Sequence, residues 1–176
     1  MHEQYRLAGK GLFLVFVGQI LNIFALIPIV GAILSVVGLV LTLVGLHSTG
    51  QYHPGYKTAF TVSIVSLVIS VINIFAVGLL GIVTAILSLV IVYYICTATA
   101  ELLSSKGDGM LAEKGLKIWK MYKNCTIVTV VCLILAFVPI LGIIAAIVAF
   151  IAAIVLIVAG ILYIIFLYKA QASLQS

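Results

Sequence analysis

Three long stretches without a charged residue cover most of this 176-residue chain, at 11–56, 58–100 and 124–168. A straight helix of about 45 residues would be ~68 Å long, whereas the hydrocarbon core of a bilayer is only ~30 Å thick. Each stretch is therefore too long for one membrane crossing and about right for two. We predict that each stretch forms one helical hairpin.

A turn signal interrupts each stretch near its middle and marks the predicted hairpin tip. Proline cannot donate to the preceding helical turn, and glycine tolerates the backbone geometry of a tight reversal. The chain is thus predicted to be an all-α integral membrane protein with six transmembrane helices, arranged as three sequential helical hairpins. The tip residues are Pro28 and Gly31, Gly78 and Gly81, and Pro139 and Gly142.

The composition also favours helices in lipid. Hydrophobic residues make up 65% of the chain and charged residues 7%, whereas a typical soluble domain has roughly 25% charged residues. In lipid the backbone polar groups must be paired internally, which leaves helices or closed barrels. Barrel strands alternate apolar and polar residues, and the runs 12–17 and 143–157 do not.

The three tips align with one another, which indicates an internal repeat of one hairpin. Because every unit enters from the same side, these are parallel repeats, unlike the inverted repeats of many transporters. We predict a single membrane domain over 1–176. Its hairpin repeats are 9–47, 58–100 and 118–168, and its cytoplasmic loops are 48–57 and 101–117.

The basic residues flank the bases of the hairpins, and the tips carry none. They are Arg6, Lys10, Lys57, Lys106, Lys114, Lys117, Lys120, Lys123 and Lys169. Because positive residues stay on the cytoplasmic side, we predict a multi-pass protein of the cell membrane with both termini in the cytoplasm. This topology explains the net charge of +5 without a nucleic-acid partner. Binding of anionic lipid head groups is the alternative explanation.

Small residues recur three and four positions apart on the returning helices, so each set lies on one helix face. In lipid, close backbone contact through small residues brings helices together. We predict tight packing along these seams, with the returning helices at the centre of the bundle. The seams comprise Gly31, Ser35, Gly38, Thr42 and Gly45; Gly81, Ala85 and Ser88; and Gly142, Ala146, Ala149, Ala153 and Gly160.

The outgoing helices carry more polar faces, such as Ser63, Ser66 and Ser70 on the third helix. Hydrogen bonding between helices is one explanation for such faces, and a polar groove for a neutral solute is the alternative. Primary amides at membrane depth must find partners, which makes them the strongest candidates. The candidate polar cluster comprises Gln19, Asn22 and Asn73.

Lysines alternate with aromatic residues where the fifth helix begins. Long lysine side chains reach toward lipid phosphates, and aromatic rings sit at the level of the head groups. We interpret this segment as an interfacial anchor in preference to a specific lipid site. The anchor residues are Lys117, Trp119, Lys120, Tyr122 and Lys123.

The three uncharged stretches contain no Asp, Glu, Lys or Arg, and ion-coupled transport normally needs such groups within the membrane. His47 and His53 share one loop, but that loop supplies no carboxylate or cysteine to complete a metal site. We therefore interpret both histidines as loop residues without a partner. We expect no metal, no cofactor and no enzymatic activity.

The first hairpin carries the pattern Gly11-Leu, then Ile27-Pro-Ile-Val-Gly31, then Val40-Leu-Thr-Leu-Val-Gly-Leu46. This pattern resembles the opening hairpin of small uncharacterised prokaryotic multi-pass membrane proteins of the domain-of-unknown-function type. The resemblance covers about the first 75 residues. It implies a prokaryotic membrane protein and no particular activity.

Two functional hypotheses follow. The first is a non-enzymatic structural, accessory or membrane-shaping protein, which packs as a homo-oligomer or with a partner membrane protein. Small-residue seams and uncharged tips favour it, and it is the preferred hypothesis from sequence. The second is a binding or transport subunit for a neutral or hydrophobic small molecule, which the polar faces of the first and third helices favour.

Overall fold

The structure is a computed structural model that describes residues 2–23, 30–75, 81–135 and 139–175. Within these residues there are six α-helices, and the prediction of an all-α chain is confirmed. They are α1 (His2–Ile23), α2 (Val30–Gly50), α3 (Pro54–Phe75), α4 (Gly81–Lys106), α5 (Gly109–Leu135) and α6 (Pro139–Gln175).

Five of the six described helices, all except α5, are long and apolar enough to cross a membrane. Their apolar segments range from 18 residues in α2 to 32 residues in α6, and a typical crossing needs about 20. The first half of α5 carries the lysines of the predicted anchor, which interrupt its apolar run.

The helices extend beyond the predicted spans, and the predicted loops at 48–57 and 101–117 are largely helical. α2 continues to Gly50 and α3 begins at Pro54, while α4 continues to Lys106 and α5 begins at Gly109. The difference has a physical cause. Hydropathy marks where a helix leaves an apolar environment, whereas local capping and turn residues determine where the helix itself ends.

The connection between α4 and α5 shows how such residues end a helix. Gly107 has a left-handed backbone with φ of 100°, which glycine tolerates best. The amides of Gly107 and Asp108 donate to the carbonyls of Ser104 and Leu103, at 3.0 and 2.8 Å, as in a Schellman C-cap. The Asp108 carboxylate then accepts from the Leu111 amide and caps α5. Two residues therefore suffice to join the two helices.

The six helices form a closed ring in chain order. Each helix packs against its neighbours in sequence, α6 packs against α1 to close the ring, and a smaller contact joins α4 to α6. Neighbouring helices run antiparallel, since Gly11 of α1 lies against Thr49 of α2 and Gly18 lies against Thr42. The returning helices α2, α4 and α6 alternate with the outgoing ones around the ring. They do not form the predicted central bundle, because their main contacts are with outgoing helices.

The buried core lies at one end of the ring, where α1 begins, α6 ends and the connections at 51–53 and 107–108 are found. Its largest fully buried side chains include Tyr56, Ile95 and Phe166. Residues from all six helices contribute to this core. The core therefore holds the ring together at this end.

Large apolar side chains face outward toward the opposite end of the ring. Ile33, Phe150 and Ile157 are 67%, 69% and 64% exposed, and many other branched aliphatic side chains accompany them. Soluble monomers rarely expose continuous apolar surface of this kind, so it marks contact with a membrane or another protein.

A buried hydrogen bond ties α3 to α4 inside the core. The Tyr56 hydroxyl lies 2.6 Å from Thr99 Oγ1, and Thr99 Oγ1 donates to the Ile95 carbonyl, also at 2.6 Å. Because the Thr99 proton is used in that bond, Tyr56 is the donor to Thr99. Tyr163 of α6 differs, since its buried hydroxyl has no hydrogen-bond partner among the described residues.

The two buried tyrosines predict different effects of the same substitution. We expect Tyr56→Phe to lower the free energy of unfolding by ~1 kcal/mol, because it removes the bond to Thr99. Tyr163→Phe should leave that free energy unchanged or raise it, because its hydroxyl has no bond to lose. Unfolding of the purified protein in detergent micelles, followed by Trp119 fluorescence, measures both. Equal destabilisation by the two substitutions would contradict this account of the core.

Candidate functional site

A cavity of about 350 Å³ lies between α1, α2, α3, α4 and α5, next to the buried core. Its wall combines leucine, isoleucine and valine side chains with hydroxyl and amide groups. The polar lining residues are Gln19 and Asn22 of α1, Thr42 of α2, Ser63, Ser66 and Ser70 of α3, Ser88 of α4 and Tyr122 of α5.

The spacing of polar residues along each helix directs them to the cavity. Ser63, Ser66 and Ser70 are three and four residues apart, so they share one face of α3. Gln19 and Asn22 share one face of α1 for the same reason. The antiparallel ring then brings these two faces to opposite sides of a common space.

Most of the cavity hydroxyls already donate their protons within their own helices. Thr42 and Ser63 each donate to the carbonyl four residues earlier, at 2.8 Å. Ser70 and Ser88 donate in the same pattern, at 2.8 and 2.9 Å. A hydroxyl oxygen that donates its proton still has two lone pairs that can accept. The serine and threonine part of the wall therefore offers acceptors to an occupant of the cavity.

Hydrogen-bond donors come from other lining side chains. Gln19 and Asn22 carry amide N–H groups and Tyr122 carries a phenolic O–H. Among the described residues that line the cavity, none is charged. Such a wall suits an uncharged polar molecule, because a buried ion needs an opposite charge to offset its lost hydration.

The structure brings two members of the predicted polar cluster into the cavity. Gln19 and Asn22 both line it, whereas the side chain of Asn73 lies outside the described residues. Thr42, placed in a packing seam from sequence, and Tyr122, placed in the interfacial anchor, also line the cavity. Sequence reasoning missed their shared location because they belong to different helices.

The predicted seam on α2 lies against α1. A Cβ atom on Gly45 would lie 2.5 Å from the carbonyl oxygen of Gly11, and one on Gly38 would lie 2.7 Å from that of Gly18. Neither position has room for a side chain, so the two backbones are in direct contact. Ser35, earlier in the same seam, is half-buried.

The other two predicted seams are more open. Ala85 of α4 is half-buried and Ser88 is exposed. On α6, Ala146 and Ala153 are exposed and Ala149 is half-buried, and beyond the local helix backbone no described atom lies within 4 Å of a Cβ placed on Gly160. The buried alanines among the described residues of α6 are Ala145, Ala152, Ala159 and Ala170. Within this chain α6 therefore packs through a face next to the predicted seam.

The predicted tip residues are described only in part. Pro28 and Gly78 lie outside the described residues. Gly31, Gly81, Pro139 and Gly142 lie in the first turns of α2, α4 and α6, and their surroundings are outside the description.

The aromatic residues of the predicted anchor face other helices, and its lysines remain outside. Trp119 packs against Tyr93 of α4, with ring centroids 5.1 Å apart, while Tyr122 reaches the cavity. The lysines Lys117 and Lys120 are exposed, and Lys123 is half-buried.

The expectation that both loop histidines lack a partner is wrong for His53. Its Nε2 lies 2.8 Å from Glu101 Oε2, and its Nδ1 accepts from the Gly55 amide at 3.1 Å. Because Nδ1 accepts, Nε2 carries the proton and donates to the carboxylate. His53 thus caps α3 and ties it to α4. Glu101 is 48 residues away in sequence, so no local pattern reveals the pair.

No family model, curated protein or solved structure matches this chain. The resemblance of the first hairpin therefore stays a prediction. The candidate site rests on its geometry and chemistry.

The backbone contact between α1 and α2 predicts a strong dependence on side-chain size at Gly45. We expect Gly45→Ala to destabilise the protein by ~1–3 kcal/mol, because the added methyl group would overlap the Gly11 carbonyl. Gly160→Ala is the matched control, since no described atom beyond the local helix backbone lies within 4 Å of its added Cβ. Thermal unfolding in detergent micelles measures both variants. Indistinguishable unfolding midpoints would show that the two backbones are not in contact.

Proposed function

We propose that this chain is a multi-pass protein of the cell membrane, with six crossings in three hairpins and both termini in the cytoplasm. Five helices of spanning length support this placement, as do the apolar side chains exposed at one end of the ring. Lipid would remove that surface from water, which stabilises the embedded protein by roughly 25 cal/mol per Å² of apolar surface. The sixth crossing would use α5 from about 118 onward, because its uncharged part at 124–135 alone is shorter than the ~20 residues of a typical crossing.

Within the membrane, we propose that the protein is a non-enzymatic binding or transport subunit for a small uncharged molecule. The observation that carries this proposal is the convergence of eight polar side chains from five helices on one cavity. Polar groups at membrane depth are costly unless they are paired. Four of the five serine and threonine hydroxyls, those of Thr42, Ser63, Ser70 and Ser88, donate within their own helices, whereas the amides and the phenol can pair with a solute.

The wall also restricts the class of solute. A cavity of about 350 Å³ lies near the lower end of the ~300–1,000 Å³ range of ligand sites, so the solute is small. Its lining offers hydroxyl acceptors with a few amide and phenol donors and no charge among the described residues. Polyols and primary amides have the matching chemistry, because they carry several donors and no ionised group.

Binding of ribitol and nicotinamide to the purified protein tests the proposal. We expect at least one of these probes to bind, and Ser66→Leu to abolish binding by filling the cavity. Tyr122→Phe should weaken binding about three- to tenfold, the equivalent of one lost hydrogen bond of ~0.5–1.5 kcal/mol. Isothermal titration calorimetry in detergent micelles measures the affinities.

Ser104→Leu is the matched control for Ser66→Leu, since Ser104 is exposed near the end of α4 and does not line the cavity. It should leave binding unchanged. Failure of both probes to bind the wild-type protein, or equal loss in the two leucine variants, would contradict the proposed solute site.

A second candidate function is the structural or accessory role preferred from sequence, and the open face of α6 favours it. No described part of this chain covers the small-residue face of α6 at Ala146, Ala153 and Gly160. The matching seam on α2 is covered by α1 through direct backbone contact. Small-residue faces of this kind bring transmembrane helices together, so a second copy or a partner membrane protein would complete the contact.

The oligomeric state in lipid nanodiscs tests this second role. We expect a wild-type oligomer that Ala153→Leu converts to the monomer, because the larger side chain separates the two backbones. Val158→Leu, an exposed site of α6 outside the seam, should leave the oligomer intact. A monomeric wild-type protein, or an oligomer that survives Ala153→Leu, would argue against packing through this face.

A further inference from the structure

A second concave site lies on the outside of the ring, between α5 and α6. This groove has a volume of about 260 Å³ and is separate from the cavity. Lys114 and Lys117 of α5 and Lys169 of α6 border it, and the rest of its lining is apolar. All three lysines are exposed, so a ligand in the groove can reach their ammonium groups.

The depth of the groove comes from a glycine on α5. The ring of Phe166 lies over Gly115 so closely that a Cβ on Gly115 would overlap it. Phe166 is only 2% exposed and forms the floor. Leu162 and Ile165 are 39% and 44% exposed and form an open apolar wall beside it.

The charge around the groove is positive. Glu113 is the acidic neighbour of the lysines, and its Oε1 lies 2.9 Å from Lys117 Nζ. Hydrogen bonding to Lys117, together with its positive charge, lowers the pKa of Glu113, so this carboxylate is ionised at neutral pH. Three lysines and one carboxylate leave a net charge of +2 at the rim. The Glu113–Lys117 pair is exposed and does not neutralise the other two lysines.

Charged and apolar parts of the groove are separated along the helices. On α6, Leu162 and Ile165 precede Lys169, which lies toward the end of the ring that holds the buried core. On α5, Lys114 and Lys117 lie at the same end. The three lysine ammonium groups thus lie at the core end of the ring, where the other basic residues of the chain also lie. The apolar wall extends from there toward the exposed apolar half.

We propose that this groove binds one anionic phospholipid. Its phosphate would lie among Lys114, Lys117 and Lys169, and an acyl chain would cover Leu162 and Ile165. A soluble phosphate would leave the apolar wall uncovered, and a zwitterionic lipid would not use the net positive charge. The inference rests on the membrane placement proposed above and is independent of the solute cavity.

Native mass spectrometry of the intact protein, released from detergent micelles with added lipid, tests the proposal. The probes are dioleoyl phosphatidylglycerol, dioleoyl phosphatidylcholine and glycerol 3-phosphate. We expect one phosphatidylglycerol per chain, bound at least about tenfold more tightly than phosphatidylcholine, because each lysine near a membrane surface attracts anionic lipid. Glycerol 3-phosphate, which lacks acyl chains, should not compete at comparable concentrations.

Two triple variants with the same change in charge separate this site from general attraction. Lys114→Gln with Lys117→Gln and Lys169→Gln should lower phosphatidylglycerol affinity about tenfold or more. The control replaces Lys10, Lys57 and Lys120, which are exposed and do not line the groove, and should change affinity less than about twofold. Lys169→Gln alone gives the same test with one exposed substitution, should the triple variant not fold.

Several results would overturn the lipid site. They are equal losses of phosphatidylglycerol affinity in the two triple variants, equal affinity for the two lipids, and effective competition by glycerol 3-phosphate. A further such result is a dimer that is detected in place of a bound lipid and that the groove variant abolishes. Binding of ribitol and nicotinamide, measured on the same samples, separates the two proposals. Intact solute binding without lipid preference overturns only the lipid site, and the reverse result overturns only the solute site.

Discussion

Direct backbone contact between α1 and α2 is the interaction on which the ring depends. In lipid, apolar side chains gain little by leaving the solvent, so helices associate through close approach and interhelical hydrogen bonds. Gly11 and Gly18 on one side and Gly38 and Gly45 on the other allow that approach. Thr49, which lies against Gly11, donates its proton to the Gly45 carbonyl at 2.7 Å, so its buried hydroxyl is paired.

The ring closes on the opposite face of α1. Gly9 lies against Leu174 and Gln175 of α6, and the ring of Phe16 lies 5.5 Å from that of Tyr168. α1 is therefore held on two sides, by backbone contact with α2 and by the last turns of α6. This arrangement leaves an interior space for the polar faces of α1 and α3, and the cavity follows from it.

The two ends of the ring differ in what holds them together. Short connections, caps and buried side chains fix the end that contains the core, where Tyr56 bonds Thr99 and His53 bonds Glu101. Toward the other end the helices present apolar side chains outward. The polar cavity lies between these regions. The lysines that border the α5–α6 groove lie at the core end, so the apolar wall of the groove is continuous with the exposed apolar half.

The sequence alone determined the helical class and the apolar length of five helices, and the spacing of small residues predicted a packing face on α2 that includes Gly38 and Gly45. Each of these depends on the composition or spacing of residues close together in one helix. Small residues three and four positions apart on one helix are one such local signal. Hydropathy did not predict the helix ends, because Gly107 and Asp108 end and begin helices by local hydrogen bonding.

Only the tertiary structure decided which faces meet. On α6, Ala145, Ala152 and Ala159 are buried while Ala146 and Ala153 are exposed, and both sets have helical spacing. Helical periodicity identifies the residues that share a face, but it does not identify the helix that this face contacts, because that depends on how the ring closes. For the same reason, the sequence did not reveal the His53–Glu101 pair or the place of Tyr122 in the cavity. These contacts join residues distant in sequence, and antiparallel packing of separate helices brings them together.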